Sequence, residues 1–130
     1  AIQEYTKRLG KSVKILDLKP SKNGIPQQII QADTELILTQ LPKFPHTQKF
    51  LLSKEGKTLD TLQLHALWRN KDTLFIIGGP YGLEEEKLLN LIDGRIAFGS
   101  ITLPHGLAKL TVLEQIYRIG TLEQGKSYHY

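Results

Sequence analysis

Cysteine is absent from this chain of 130 residues, so neither a disulfide frame nor a thiolate metal site is open to it. A single domain of this length buries a core without such staples. A reducing, cytoplasmic setting suits the composition. Methionine is absent as well, even at position 1. No apolar run approaches the roughly 18–20 residues that cross a bilayer. The opening Ala1-Ile2-Gln3-Glu4-Tyr5-Thr6-Lys7-Arg8 is too polar for a signal peptide, so no membrane partner is expected. Acidic residues are outnumbered, 13 against 17 Lys and Arg, which leaves a formal charge of +4. A mildly basic surface favours a polyanion through counterion release, but charge alone leaves a nucleic-acid partner open.

What is present reads as alternating strands and helices. Ile2, Tyr5 and Leu9 have helical spacing and Gly10 stands where a helix stops, which predicts a helix over residues 1–9. Val13-Lys14-Ile15-Leu16-Asp17-Leu18 reads as a strand, and residues 20–26 as a loop. A helix is expected over 30–41, with Leu36 and Leu38 among its buried residues, broken by Pro42 and Pro45. Residues 48–53 form the next strand and 55–58 a turn. Asp60 and Gln63 have the spacing of a capping pair, and Leu62, Leu64, Leu67 and Trp68 give the helix that follows an apolar face.

Thr73-Leu74-Phe75-Ile76-Ile77 is an apolar run of strand length, as expected of a strand covered on both faces. A short helix is predicted over 84–91, with acidic residues in its first turn, and a brief strand over 95–98. A last helix is predicted over 106–122. This order implies one α/β domain with a mainly parallel sheet.

Ligands of such sheets bind at the carboxyl ends of strands. Three segments leave strand ends there: 52–56, 78–82 and 99–105. Gly78-Gly79-Pro80-Tyr81-Gly82 lacks both the Gly-Lys-Ser/Thr ending of a phosphate loop and the Gly-x-Gly-x-x-Gly spacing of a dinucleotide fold. From spacing alone its commoner reading is a tight strand-to-helix turn. His105 reads equally as a cap of the last helix, Arg118 as a solvated charge, and His129 as part of a loose terminus. Lys7, Arg8, Lys11, Lys14, Lys19 and Lys22 cluster early, as a solvated face or as a strip that meets RNA. His65, inside a helix, reads as structural. No carboxylate pair, nucleophile triad or metal-ligand cluster stands out, and no metal is expected.

Ile76-Ile77-Gly78-Gly79-Pro80-Tyr81-Gly82-Leu83 followed by Ile101-Thr102-Leu103-Pro104-His105 closely resembles the RlmH family of SPOUT methyltransferases. The likeness continues through Leu113-Glu114-Gln115-Ile116-Tyr117-Arg118 to Tyr128-His129, and the opening Glu4-Tyr5-Thr6-Lys7-Arg8-Leu9-Gly10 looks like the family's early helix. The resemblance implies a sheet whose C-terminal part is threaded into a deep trefoil knot, a homodimer, and methylation of N3 of a pseudouridine in large-subunit ribosomal RNA within the assembled ribosome. It implies S-adenosylmethionine as cofactor, with Leu52 ending the strand that lines its adenosine side, Gly79 in the glycine turn beneath it, and Gly99, Ser100, Ile101, Thr102, Leu103 and Pro104 in the knot loop around it. It makes His105 and His129 the candidate proton acceptors, Arg118 the candidate to steady negative charge on the base or to hold phosphate, and Tyr128 the candidate to stack on or orient the base.

Two departures accompany the likeness. Tyr130 stands where the family usually has a basic residue. The family also begins with an apolar strand and the start of a helix, so a natural N-terminal segment ahead of Ala1 is expected. A non-catalytic RNA- or ribosome-binding module that keeps the fold is the alternative, and a small-molecule methyltransferase is a third reading.

Overall fold

The computed structural model describes residues 2–9, 11–18, 24–68, 71–79, 81–97 and 114. Among the described residues, five strands form one sheet in the order β1-β2-β4-β3-β5. They are β1 (Ile2–Leu9), β2 (Lys11–Leu18), β3 (Gln48–Thr58), β4 (Thr73–Ile77) and β5 (Gly94–Ala97). The pairs β2–β4, β4–β3 and β3–β5 are parallel, and β1–β2 alone is antiparallel. The expected mainly parallel α/β sheet is therefore present. The expected trefoil knot involves the chain beyond Ala97, where only Glu114, a helical residue, is described.

β4 is the middle strand, and all five of its residues are buried. That is what a continuous apolar run becomes when helices cover both faces of a parallel sheet. Alternation sorts the neighbours. Leu16, Leu51, Leu74 and Ile76 pack with Ile37 of helix α1 (Pro26–Gln40) on one face. Val13, Ile15, Phe50, Phe75 and Ile77 pack with Leu64 of helix α2 (Thr61–Trp68) on the other.

The helix predicted over residues 1–9 is corrected to strand β1, which pairs along its whole length with β2, from Ile2 opposite Leu18 to Leu9 opposite Lys11. So short a segment does not hold a helix alone, whereas Ile, Tyr and Thr suit a strand and β2 offers an open ladder. Helix α1 starts at Pro26, four residues before the predicted position, with no side-chain cap. Proline at the first helical position loses nothing, because its missing N–H has no partner there in any case. Leu36 is exposed rather than buried, and Leu38 is half-buried. The inward positions of α1 are Ile29, Asp33, Thr34 and Ile37.

In α2 the capping pair is formed as predicted: the Gln63 N–H donates to Asp60 Oδ1 at 2.8 Å and the Asp60 N–H to Gln63 Oε1 at 2.9 Å. Leu62, read as part of its apolar face, is exposed.

β3 runs on past residue 53 through the predicted turn. Both Leu52 and Lys57 are in register with Ile96, so residues 53–56 form a bulge in the strand. Gly56 lies against the Arg95 and Ile96 backbone, where a Cβ would not fit. The predicted helix over 84–91 is only a 3-10 turn, Glu85–Lys87, closed by N–H to C=O bonds three residues back. Leu88 is fully buried in the α1-side core, and β5 begins at Gly94, so the chain turns instead of coiling further.

Candidate functional site at the carboxyl ends of β3 and β4

The connections leaving β3 and β4 diverge. β3 feeds α2 on one face, whereas the segment after β4 carries Leu83 and Leu88 into the core on the α1 face. Where adjacent parallel strands part in this way, the crevice between them is the usual ligand position of such sheets. Their pairing ends at Leu51 opposite Ile76. Beyond it stand Leu52 on one side and Gly78-Gly79 on the other.

Leu52 is half-buried against the α2-side core, so it combines a packed base with accessible apolar surface. The glycine segment approaches α1 very closely. A Cβ on Gly79 would overlap the carboxylate of Asp33, and one on Gly78 would lie 2.9 Å from Leu83 Cγ. The Gly82 N–H donates to the Gly79 carbonyl at 3.0 Å, closing a tight turn. Gly82 has φ +81°, the left-handed conformation that glycine adopts without strain. The strand-to-helix turn read from spacing is thus present as a turn, but it leads into the 3-10 turn Glu85–Lys87 and not into a helix.

Three side chains hold the exit of this turn. Thr34, fully buried in α1, accepts the Glu84 N–H at 2.9 Å and donates to the Ile30 carbonyl at 2.8 Å. The Ser53 hydroxyl lies 2.8 and 2.9 Å from the two carboxylate oxygens of Glu85. Arg95 Nη1 lies 3.0 Å from the same carboxylate. At the rim, Lys87 pairs with Glu84 at 3.0 Å; the bond to this carboxylate and its charge hold the ammonium above its ordinary range.

Leu52 and Gly79 both lie just past the last β3–β4 pair, on the two segments that part there. The other predicted site residues, namely Gly99, Ser100, Ile101, Thr102, Leu103, Pro104, His105, Arg118, Tyr128 and His129, lie outside the described residues. Of the early basic cluster, Lys14 is placed over the Phe44 ring, 5.1 Å from its centroid, rather than on a fully solvated strip. Among the described residues there is no group of three metal-ligating side chains, and no helix is long and apolar enough to cross a membrane.

Sequence reasoning passed over Asp33, Thr34, Ser53, Glu85 and Arg95. One signal was available: Ile29, Asp33 and Ile37 recur every four residues, so Asp33 shares the buried stripe of α1. Asp17, buried at the end of β2 opposite Ile77, is a similar case of a carboxylate inside an apolar strand.

The family described as "Predicted SPOUT methyltransferase" matches residues 1–129. A protein of Xylella fastidiosa (strain 9a5c) named "Ribosomal RNA large subunit methyltransferase H" is 37% identical, over 97% of this chain and 84% of its own length. Proteins of the same name from Flavobacterium psychrophilum and Nitrosomonas eutropha are 34% and 33% identical, over 99% and 97% of this chain and 87% and 85% of their own lengths. A match over nearly the whole chain, joined to a glycine turn at the point where the connections diverge, places this protein in the RlmH family of SPOUT methyltransferases.

Proposed function

We propose that this methyltransferase acts on large-subunit ribosomal RNA, carrying the methyl group of S-adenosylmethionine to N3 of a pseudouridine. The observation that supports the reading is the point where β3 and β4 stop pairing, with Leu52 just past it on β3 and Gly78-Gly79 just past the end of β4. Its residues fit a nucleoside. The glycine backbone leaves no side chain in the way, Leu52 offers apolar cover for an adenine face, and the turn supplies backbone polar groups for its edge. Leu52, Gly79 and the knot-loop residues Gly99, Ser100, Ile101, Thr102, Leu103 and Pro104 would hold the cofactor. When bound, S-adenosylmethionine supplies a methyl group already made electrophilic by its sulfonium.

The protein's share is placement and charge. Tyr128 would stack on or orient the target base and so present its N3 for transfer. His105 or His129 accepts the N3 proton, a role that a neutral imidazole fills near pH 7. Arg118 steadies the negative charge that develops on the base. The C-terminal segment threads as a trefoil knot and two chains complete each other's sites as a homodimer. The substrate is the assembled ribosome in the cytoplasm, which supplies most of the recognition surface to a protein of this size. The net charge of +4 and the relatives' name support an RNA substrate.

The test is methyl transfer from radiolabelled S-adenosylmethionine to ribosomes from cells lacking this protein, with the modified base mapped. Label at one pseudouridine N3 of the large-subunit RNA is expected. Label elsewhere overturns the specificity, and no label on subunits, ribosomes or free RNA overturns the catalytic reading. In the same assay, full turnover by His129→Ala removes that residue from proton transfer.

A further inference from the structure

We propose that Glu85 is a positioning residue that fastens the two sides of the crevice together, keeping Leu52 and Gly79 at a fixed separation. The inference rests on the reading of that crevice as the cofactor site.

The contacts of Glu85 cross from one side to the other. Ser53 follows Leu52 in β3, just past the last residue of that strand paired with β4, and Arg95 belongs to the neighbouring strand β5. β3 and β5 are already one unit, paired at Leu51 with Arg95 and at Leu52 with Ile96. Glu85 comes from the opposite side, three residues after Gly82, and its carboxylate reaches both partners. No regular ladder joins the two sides here, since the β3–β4 pairing ends at Leu51 and Ile76. The Ser53–Glu85 bond is thus a direct side-chain tie across the point where the strands part.

The tie has firm supports at both ends. The residue before Glu85 is anchored to α1 through the Thr34 hydroxyl. Ser53 Oγ also accepts the Glu55 N–H at 3.1 Å, which shapes the bulge of residues 53–56. Glu85 and Arg95 keep 27% and 30% of their side-chain surface exposed, so the ion pair is screened and contributes little to global stability. Such a contact changes local geometry more than the unfolding equilibrium. It does not touch the reacting atoms in this reading, and its effect passes through Leu52 and the glycine turn.

Hydrogen exchange and kinetics on the full chain test this. Glu85→Ala should speed amide exchange in residues 52–58 and 77–86 together, with the core strand segments unchanged. It should raise KM for S-adenosylmethionine about tenfold while kcat at saturation stays within about twofold. Ser53→Ala, which leaves the Arg95 pair in place, should show the same pattern more weakly. Glu85→Gln, which still accepts from Ser53, should restore most of it. Faster exchange confined to 83–88, or a KM equal to wild type in both alanine variants, overturns the proposal. Calorimetry of wild type with S-adenosylmethionine separates the two readings. Without binding there, the cofactor assignment fails, and the exchange pattern alone still decides whether Glu85 couples the two segments.

Discussion

Gly79 passes so close to Asp33 that any side chain on it would overlap the Asp33 carboxylate. Asp33 is buried on the inward stripe of α1, so the helix sets how deep the glycine turn sits at the end of β4. The contact links a residue predicted to line the cofactor site to one that sequence reasoning did not single out.

Gly79→Ala should therefore destabilise the protein by about 1–3 kcal/mol, the usual cost of an overpacked site, and raise the Kd for S-adenosylmethionine. Combining it with Asp33→Ala should recover part of the stability, since neighbours in contact are non-additive. Urea unfolding of the two single variants and the double variant measures the coupling. Strict additivity would show that the carboxylate is not what opposes the alanine.

Thr34→Val keeps the shape of the side chain and removes the acceptor of the Glu84 N–H. A partly buried donor left without its partner should cost about 1–3 kcal/mol, and Thr34→Ser should cost less. No loss in Thr34→Val, or a larger loss in Thr34→Ser, would show that the methyl group and not the acceptor sets the cost.

Leu88 is fully buried beside Leu51 and Ile76, although it lies in a turn. Leu88→Ala should cost about 2–5 kcal/mol, as for a core leucine in a helix or strand. Thermal unfolding by circular dichroism reads it. A change below about 1 kcal/mol would mean that the turn collapses freely into the space.

The raised pKa of Lys87 makes a statement about pH. Glu84 favours the charged ammonium in the folded state, so the pair's contribution is fully present below the ordinary lysine value of 10.5 and fades as pH rises through the higher folded value. The difference in denaturation midpoint between wild type and Lys87→Gln should be small, constant to about pH 10, and shrink above it. Growth of that difference at high pH would contradict the assignment.

Local patterns were legible where one local rule dominated. The run Thr73–Ile77 could be little else than a covered strand. The Asp60–Gln63 box carries its own hydrogen-bond geometry within four residues. The glycine turn was legible because the chain must reverse where Gly82 takes a positive φ. Competition between local preferences was harder to read. The helical spacing of Ile2, Tyr5 and Leu9 yields to strand pairing, because the edge of β2 satisfies a whole ladder of backbone groups. Residues 84–91 have helical composition, but burial of Leu88 and the start of β5 at Gly94 leave room for one 3-10 turn.

The amino-acid order alone determined the α/β alternation, the central apolar strand, the glycine turn and the likeness to the SPOUT methyltransferases, since each resides in residues near one another along the chain. Tertiary structure alone decided that Asp33 lies beneath Gly79, that Thr34 caps Glu84, and that Glu85 meets Ser53 and Arg95. Those contacts join segments whose separation is closed only when the sheet assembles and the helices settle on its two faces, and no periodicity within a single element encodes such a meeting.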